Sequence, residues 1–161
     1  MGIVYTTDFG SAERFCVEII IAILNEEVRR TLIYTCEEAV GKIRNRSGQE
    51  SWNDDTGNLR SSIGYGVYEY ARKVISSAFP IVKEGAEGSA TGQEVINDLA
   101  GLYSKAYGAC VVAAMSYAEK VENMENKDVL HNTFEWVKGV IDERLQRAIE
   151  RAQLRVQALV V

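Results

Sequence analysis

Asp54 and Asp55 are adjacent acids in a stretch rich in Gly and Asn. Such a pair can hold a cation or act as a general base. In a turn it more simply accepts hydrogen bonds from nearby amides. A second acidic series, Glu119, Glu122, Glu125 and Asp128, recurs every three residues. A helix would bring these carboxylates together, yet no His accompanies them, and a solvated acidic face is the plainer reading. His131 is the chain's single histidine. A relay or triad would rest on it alone, and with no Ser or Cys motif beside it a partly exposed structural role is expected. Cys16, Cys36 and Cys110 are odd in number and form no CxxC pair. That argues against a disulfide framework or a thiolate zinc site and fits a reducing compartment. Cys110 reads as a small buried hydrophobe. Gly64-x-Gly66 and Gly85-x-x-Gly88 lack the strand-to-helix setting and the following Lys-Ser/Thr of a phosphate loop. The sequence therefore assigns no catalytic residue, cofactor or metal.

Arg144, Arg147, Arg151 and Arg155 follow at steps of three, four and four, which puts them on one stripe of a helix. Glu143 stands four residues before Arg147, whereas the position four after Glu150 is Leu154. The stripe is thus only partly neutralised within its own helix. It is expected to be a solvated flank, with the acidic surface of a neighbouring subunit or DNA phosphates as the alternatives.

The elements that must carry these groups follow from periodicity. Over 12–44, apolar residues recur at Val17, Ile20, Ile21, Leu24, Val28, Leu32, Cys36, Ala39 and Ile43 without a Pro, which predicts one long helix. Lys42, Arg44 and Arg46 cluster at its end, where the helix dipole favours cations. Residues 46–57 are polar and turn-rich. From Leu59 the period becomes two, through Ser61, Ile63, Tyr65 and Val67, and a second β-compatible run covers 73–79, so a hairpin through Glu69 to Arg72 is expected. Gly85, Gly88 and Gly92 read as a flexible approach to a short helix over 92–104, with Thr91 and Glu94 at capping-box spacing. The apolar run 107–115 predicts a third strand in the middle or covered part of the sheet. A second long helix is expected over 126–159, with Gly139 as its weak point. The fold class is α+β: a long N-terminal helix, a three-stranded antiparallel sheet over 59–115 with an inserted helix, and a long C-terminal helix.

The 161 residues are 47% apolar and 25% charged, the composition of a single domain over 1–161. The formal net charge of −5 argues against sequence-specific nucleic-acid binding. The longest apolar run is too short to cross a bilayer, so no membrane is expected as partner. Helices of this length each extend about 50 Å, whereas a compact domain of this size has a radius of gyration near ~15 Å. Phe15, Ile19 and Ile23 also lie on the side away from Leu24 and Val28. Apolar faces on helices that project need a partner, so self-association is expected, with Phe15, Ile19, Ile23 and the arginine stripe as candidate interface.

Asp55-Thr56-Gly57-Asn58-Leu59-Arg60-Ser61-Ser62-Ile63 resembles the DTGxLRxSI motif of the tailed-phage tail-completion family, the minor capsid or head-to-tail joining proteins. About fifty residues later, Ser116-Tyr117-Ala118-Glu119-Lys120-Val121-Glu122 resembles that family's xYAxxVE segment. Asp128-Val129-Leu130 follows, as in versions from Bacteroidetes phages and prophages, and the pattern of Gly85, Gly88 and Gly92 is similar to theirs. In many members a Gly-Thr pair and a Pro-rich turn come next, where this chain runs through Asn123-Met124-Glu125-Asn126 into its last helix. The resemblance gives structural roles to Asp55, Thr56, Gly57, Leu59, Arg60, Ile63, Tyr117, Ala118, Val121 and Glu122. Thr56 and Gly57 would turn into the first strand, Leu59 and Ile63 would share a sheet face, and Tyr117-Ala118 would close the third strand onto the last helix.

The resemblance implies a structural protein of the virion, made in the bacterial cytoplasm and not an enzyme. It would assemble as a ring with itself and with phage connector and tail proteins. Heterologous helix contacts can close such a ring, and the negative charge suits a passage that DNA slides through. Two other readings stand beside it. One is a small α+β enzyme or metal-binding protein using Asp54, Asp55, Glu119 and Glu122. The other is a dimeric helical adaptor.

Overall fold

The computed structural model describes residues 9–47, 51–103, 105–124 and 127–159. The elements are α1 (Phe9–Arg44), α2 (Asn58–Ser61), β1 (Ile63–Glu69), β2 (Arg72–Ser76), α3 (Ala86–Asp98, continued by a 3-10 turn Leu99–Tyr103), β3 (Tyr107–Ala113), α4 (Ala118–Glu122) and α5 (His131–Gln157). The α+β architecture is as expected. The chain falls into two compact units, Leu32–Asp142 and the described parts of Met1–Thr31 with Glu143–Val161.

In the Leu32–Asp142 unit the sheet order is β2-β1-β3, antiparallel throughout. The middle strand is β1, not the apolar 107–115 run, and all seven of its residues are buried. Both faces of β1 are covered, which the sequence alternation did not signal. Ile63, Tyr65 and Val67 pack with Cys36, Val40 and Ile43 of α1, and with Trp52, Leu59 and Val129, in one core. On the other face a Cβ at Gly64 would overlap the Phe79 ring, and the Tyr68 hydroxyl donates to Ile96 O of α3 at 2.6 Å. The two small residues of β1 thus make room for the aromatic ring and for α3.

Three expectations need correction. Leu59 and Ser61 belong to the helical turn α2 rather than to a strand, although Leu59 and Ile63 share the core as expected. The inserted helix starts at Ala86, six residues before the expected position 92, so the glycines are not a flexible approach. A Cβ at Gly88 would overlap Asn58 O, and one at Gly92 would overlap the Phe79 ring. Glycine is selected here by close helix approach, which outweighs its low helix propensity. Thr91 is no cap, since its hydroxyl donates to Glu87 O at 2.9 Å within the helix. The hairpin does turn at Tyr70 and Ala71, both at positive φ, 48° and 64°, the primed geometry that suits the twist of the flanking strands.

The other unit pairs Phe9–Thr31 of α1 with the α5 residues from Glu143 onward. Ile23, Ala148 and Ala152 are buried in it, as are Glu27 and Thr31.

Candidate functional site

The first motif is a set of caps. The Asp54 carboxylate accepts from Arg60 N at 3.0 Å, satisfying an amide at the start of α2. Asp55 accepts from Asn53 Nδ2 at 2.7 Å. Thr56 O accepts from Glu84 N at 3.0 Å. Gly57 has φ +80°, and a Cβ there would overlap Val82 O, so the turn into α2 requires glycine. Asn58 works on α3: its Oδ1 accepts from Gly88 N at 3.1 Å and its Nδ2 donates to Glu87 at 3.1 Å.

Arg60 closes the C-terminus of α1. Its guanidinium donates to Arg44 O, to Arg46 O at 3.3 Å and to Ser51 Oγ at 2.6 Å, and lies 4.8 Å from the Trp52 ring centre. A cation on the last carbonyls opposes the negative end of the helix dipole. Ser61 Oγ accepts from Val82 N at 2.9 Å, and Ser62 Oγ accepts from Ala114 N at 3.1 Å, which ties α2 to the segments around it.

The second motif caps α5. Glu122 Oε2 accepts from Val129 N at 2.9 Å and Leu130 N at 2.7 Å, and its Oε1 from His131 N at 3.0 Å. Asp128 accepts from Asn132 N at 3.1 Å and forms an ion pair with Arg46, which also donates to Thr133 Oγ1 at 2.7 Å. Two carboxylates at a helix N-terminus satisfy its free amides and meet its positive end. Ala118 and Val121 pack against the core. Tyr117 precedes α4, and its phenol is pushed above its ordinary range, first by burial and then by the Asp54 charge, while a hydrogen bond with Thr56 pulls the other way. The two motifs, far apart in sequence, therefore meet through Tyr117, Asp54 and Thr56. Tyr117 thus contacts the first motif.

The acidic groups named for an enzyme or metal site are divided: Glu119 and Glu122 both line a groove beside β3, and Asp54 and Asp55 do not. Asp54, Asp55 and Glu122 are each held as above, and Glu125 lies outside the described residues. Among the described residues no three His, Cys, Asp or Glu side chains could share a metal ion. His131 begins α5 and is exposed. Cys16 is exposed, Cys36 buried and Cys110 half-buried, none in a disulfide, and the Cys110 thiol donates to the Tyr68 hydroxyl at 3.5 Å. Burial pushes the Cys36 thiol up to about 12. No helix among the described residues is long and apolar enough to cross a membrane.

Of the arginine stripe, Arg147 pairs with Glu143 as expected. Arg151 Nε donates to Glu27 Oε2 at 2.9 Å and Arg155 to Glu27 Oε1 at 2.8 Å; Arg155 also reaches Glu26 at 2.8 Å. Glu27 is only 4% exposed. The Arg151 hydrogen bond is the main reason that its carboxyl lies below its ordinary value. These two arginines find their acids within the chain, where the sequence reading looked to neighbours or solvent, and Arg144 is half-buried with a contact of its own. Of the apolar candidates, Phe15 is 63% exposed, Ile19 half-buried and Ile23 buried.

One feature had no sequence signal. A groove of about 820 Å³ runs beside β3, lined chiefly by apolar side chains of α1, β3 and the first turns of α5. Comparisons of the chain with protein-family models, with curated proteins and with solved structures find no match in any of the three.

Proposed function

We propose that this chain is a structural protein of the head–tail junction of a tailed phage or prophage, a ring subunit that joins connector to tail through helix contacts. One observation carries the reading: Tyr117 of the second motif meets Asp54 and Thr56 of the first, and the polar side chains of Asp54, Asn58, Arg60 and Glu122 hold chain. Arg60 fastens the end of α1, Glu122 fastens the start of α5, and Asn58 fastens α3. Such an anchorage is what long helices need if they are to bear on neighbouring subunits. Phe15, Val17, Ile20 and Ile21 on α1, and Leu154 and Leu159, are exposed and supply apolar surface for those contacts.

The net charge of −5 suits a passage that does not hold DNA. The reading puts the protein in the virion after synthesis in the bacterial cytoplasm, with itself, the connector and tail proteins as partners. The enzyme reading needs carboxylates that converge, and Asp54, Asp55 and Glu122 are each spent on amides. Disruption of the gene tests the reading. Electron microscopy of the lysate is expected to show DNA-filled heads without tails beside free tails; normal infectious particles would rule it out.

A further inference from the structure

β3 is an edge strand, and its pairing with β1 fixes which backbone groups are spent. Ala114 N donates to Ser62 O, one step beyond the register Ile63↔Ala113 and Gly64↔Val112. In an antiparallel ladder alternate residues bond to a given neighbour. Gly108, Cys110 and Val112 therefore turn their N–H and C=O toward β1, and Ala109, Val111 and Ala113 turn theirs outward. Among the described residues these outward groups meet no partner. The opposite edge is guarded by charge, with Lys73 bonded to Asn97 and Arg72 beside Glu69. β3, Tyr-Gly-Ala-Cys-Val-Val-Ala, carries no charge. Its outward residues also line the apolar groove, together with Cys36, Phe134 and Val137.

We propose that β3 pairs with β3 of a second copy, edge to edge and antiparallel, about a twofold axis at Val111. The outward set is self-complementary: Val111 faces Val111, and Ala109 faces Ala113. The axis is perpendicular to the sheet, so both apolar grooves come to the same face and adjoin. A lipid chain would leave the outward N–H and C=O groups unmatched, and a helix has its own backbone groups already bonded. A second β3 satisfies them. Charge agrees with this choice. Six residues before Val111 stands the exposed Lys105, and six after it Tyr117, followed by Glu119, whose exposed carboxylate has no partner among the described residues. With Val111 on the axis, Lys105 of one copy falls opposite Tyr117 of the other and so approaches the α4 turn that carries Glu119. The pairing does not rest on the head–tail reading.

Sedimentation of the full chain over a range of concentrations tests it, with amide exchange as second readout. A dimer is expected, in which the Ala109, Val111 and Ala113 amides become protected as concentration rises, while those of Gly108, Cys110 and Val112 are protected at every concentration. Val111→Pro removes an outward N–H at an edge position that tolerates proline and should weaken the dimer at least tenfold. Lys105→Glu should weaken it as well, and Lys105→Glu combined with Glu119→Lys should restore it. A monomer at all concentrations, a dimer indifferent to Val111→Pro, or a charge swap without rescue would overturn the pairing. Loss of connector binding with the dimer intact would count against the head–tail reading alone.

Discussion

Glu122 shows how a residue that looks catalytic can be structural. Its two oxygens take three consecutive amides, those of Val129, Leu130 and His131, and a carboxylate so engaged has little capacity left for a metal or a substrate. Replacing it with Ala leaves amides at the start of α5 unsatisfied. Loss of a cap costs about 1–2 kcal/mol, so Glu122→Ala should lower the free energy of unfolding by that amount in urea titration, with an unchanged slope. The motif acids could be found in the sequence, but their targets could not. Glu122 and the amides it binds are separated by a segment whose path depends on tertiary packing, and no period in the sequence encodes that path.

Among the elements, long helices were the most legible, because the spacing of α1 from Val17 to Ile43 admits one period only. The start of β1 is ambiguous in the sequence. Leu59 and Ile63 are four apart, a step that fits a helical turn as well as an alternating strand, and α2 uses the first. The glycines before α3 misled because glycine is read as loop, whereas Gly88 is fixed by contact with Asn58. Gly→Ala in a helix ordinarily stabilises by about 0.5–1 kcal/mol. Gly139, with open space around it, should follow that rule, whereas Gly88→Ala should destabilise by about 1–3 kcal/mol through overpacking. Thermal melts of the two variants should move in opposite directions.

The pairing of Glu27 with Arg151 and Arg155 could not be read from either helix alone, since it depends on which faces of α1 and α5 meet. Glu27 has a lowered folded-state pKa, so the unfolded chain binds the proton more readily. The stabilisation is fully present above the unfolded value near 4.5 and is lost as pH falls through the folded one. Glu27→Gln should therefore weaken the dependence of stability on pH below about 4.5, as measured by urea titrations at several acidic pH values.

For the whole molecule, composition and charge bound the range of functions, and the proposed head–tail role rests on the motif resemblance. A chain with −5 net charge, motif residues spent on holding helices and apolar side chains left exposed on α1 is suited to assembly. The groove beside β3 was invisible in the sequence, because the apolar run 107–115 fits a central strand equally well; its edge position depends on sheet order. Light scattering measures the central claim most directly, first on the purified protein at rising concentration and then after addition of a phage connector protein. A weak, concentration-dependent oligomer alone, converted by the connector into a stable ring-sized complex, is the predicted result. A tight monomer that binds neither connector nor tail protein would contradict it.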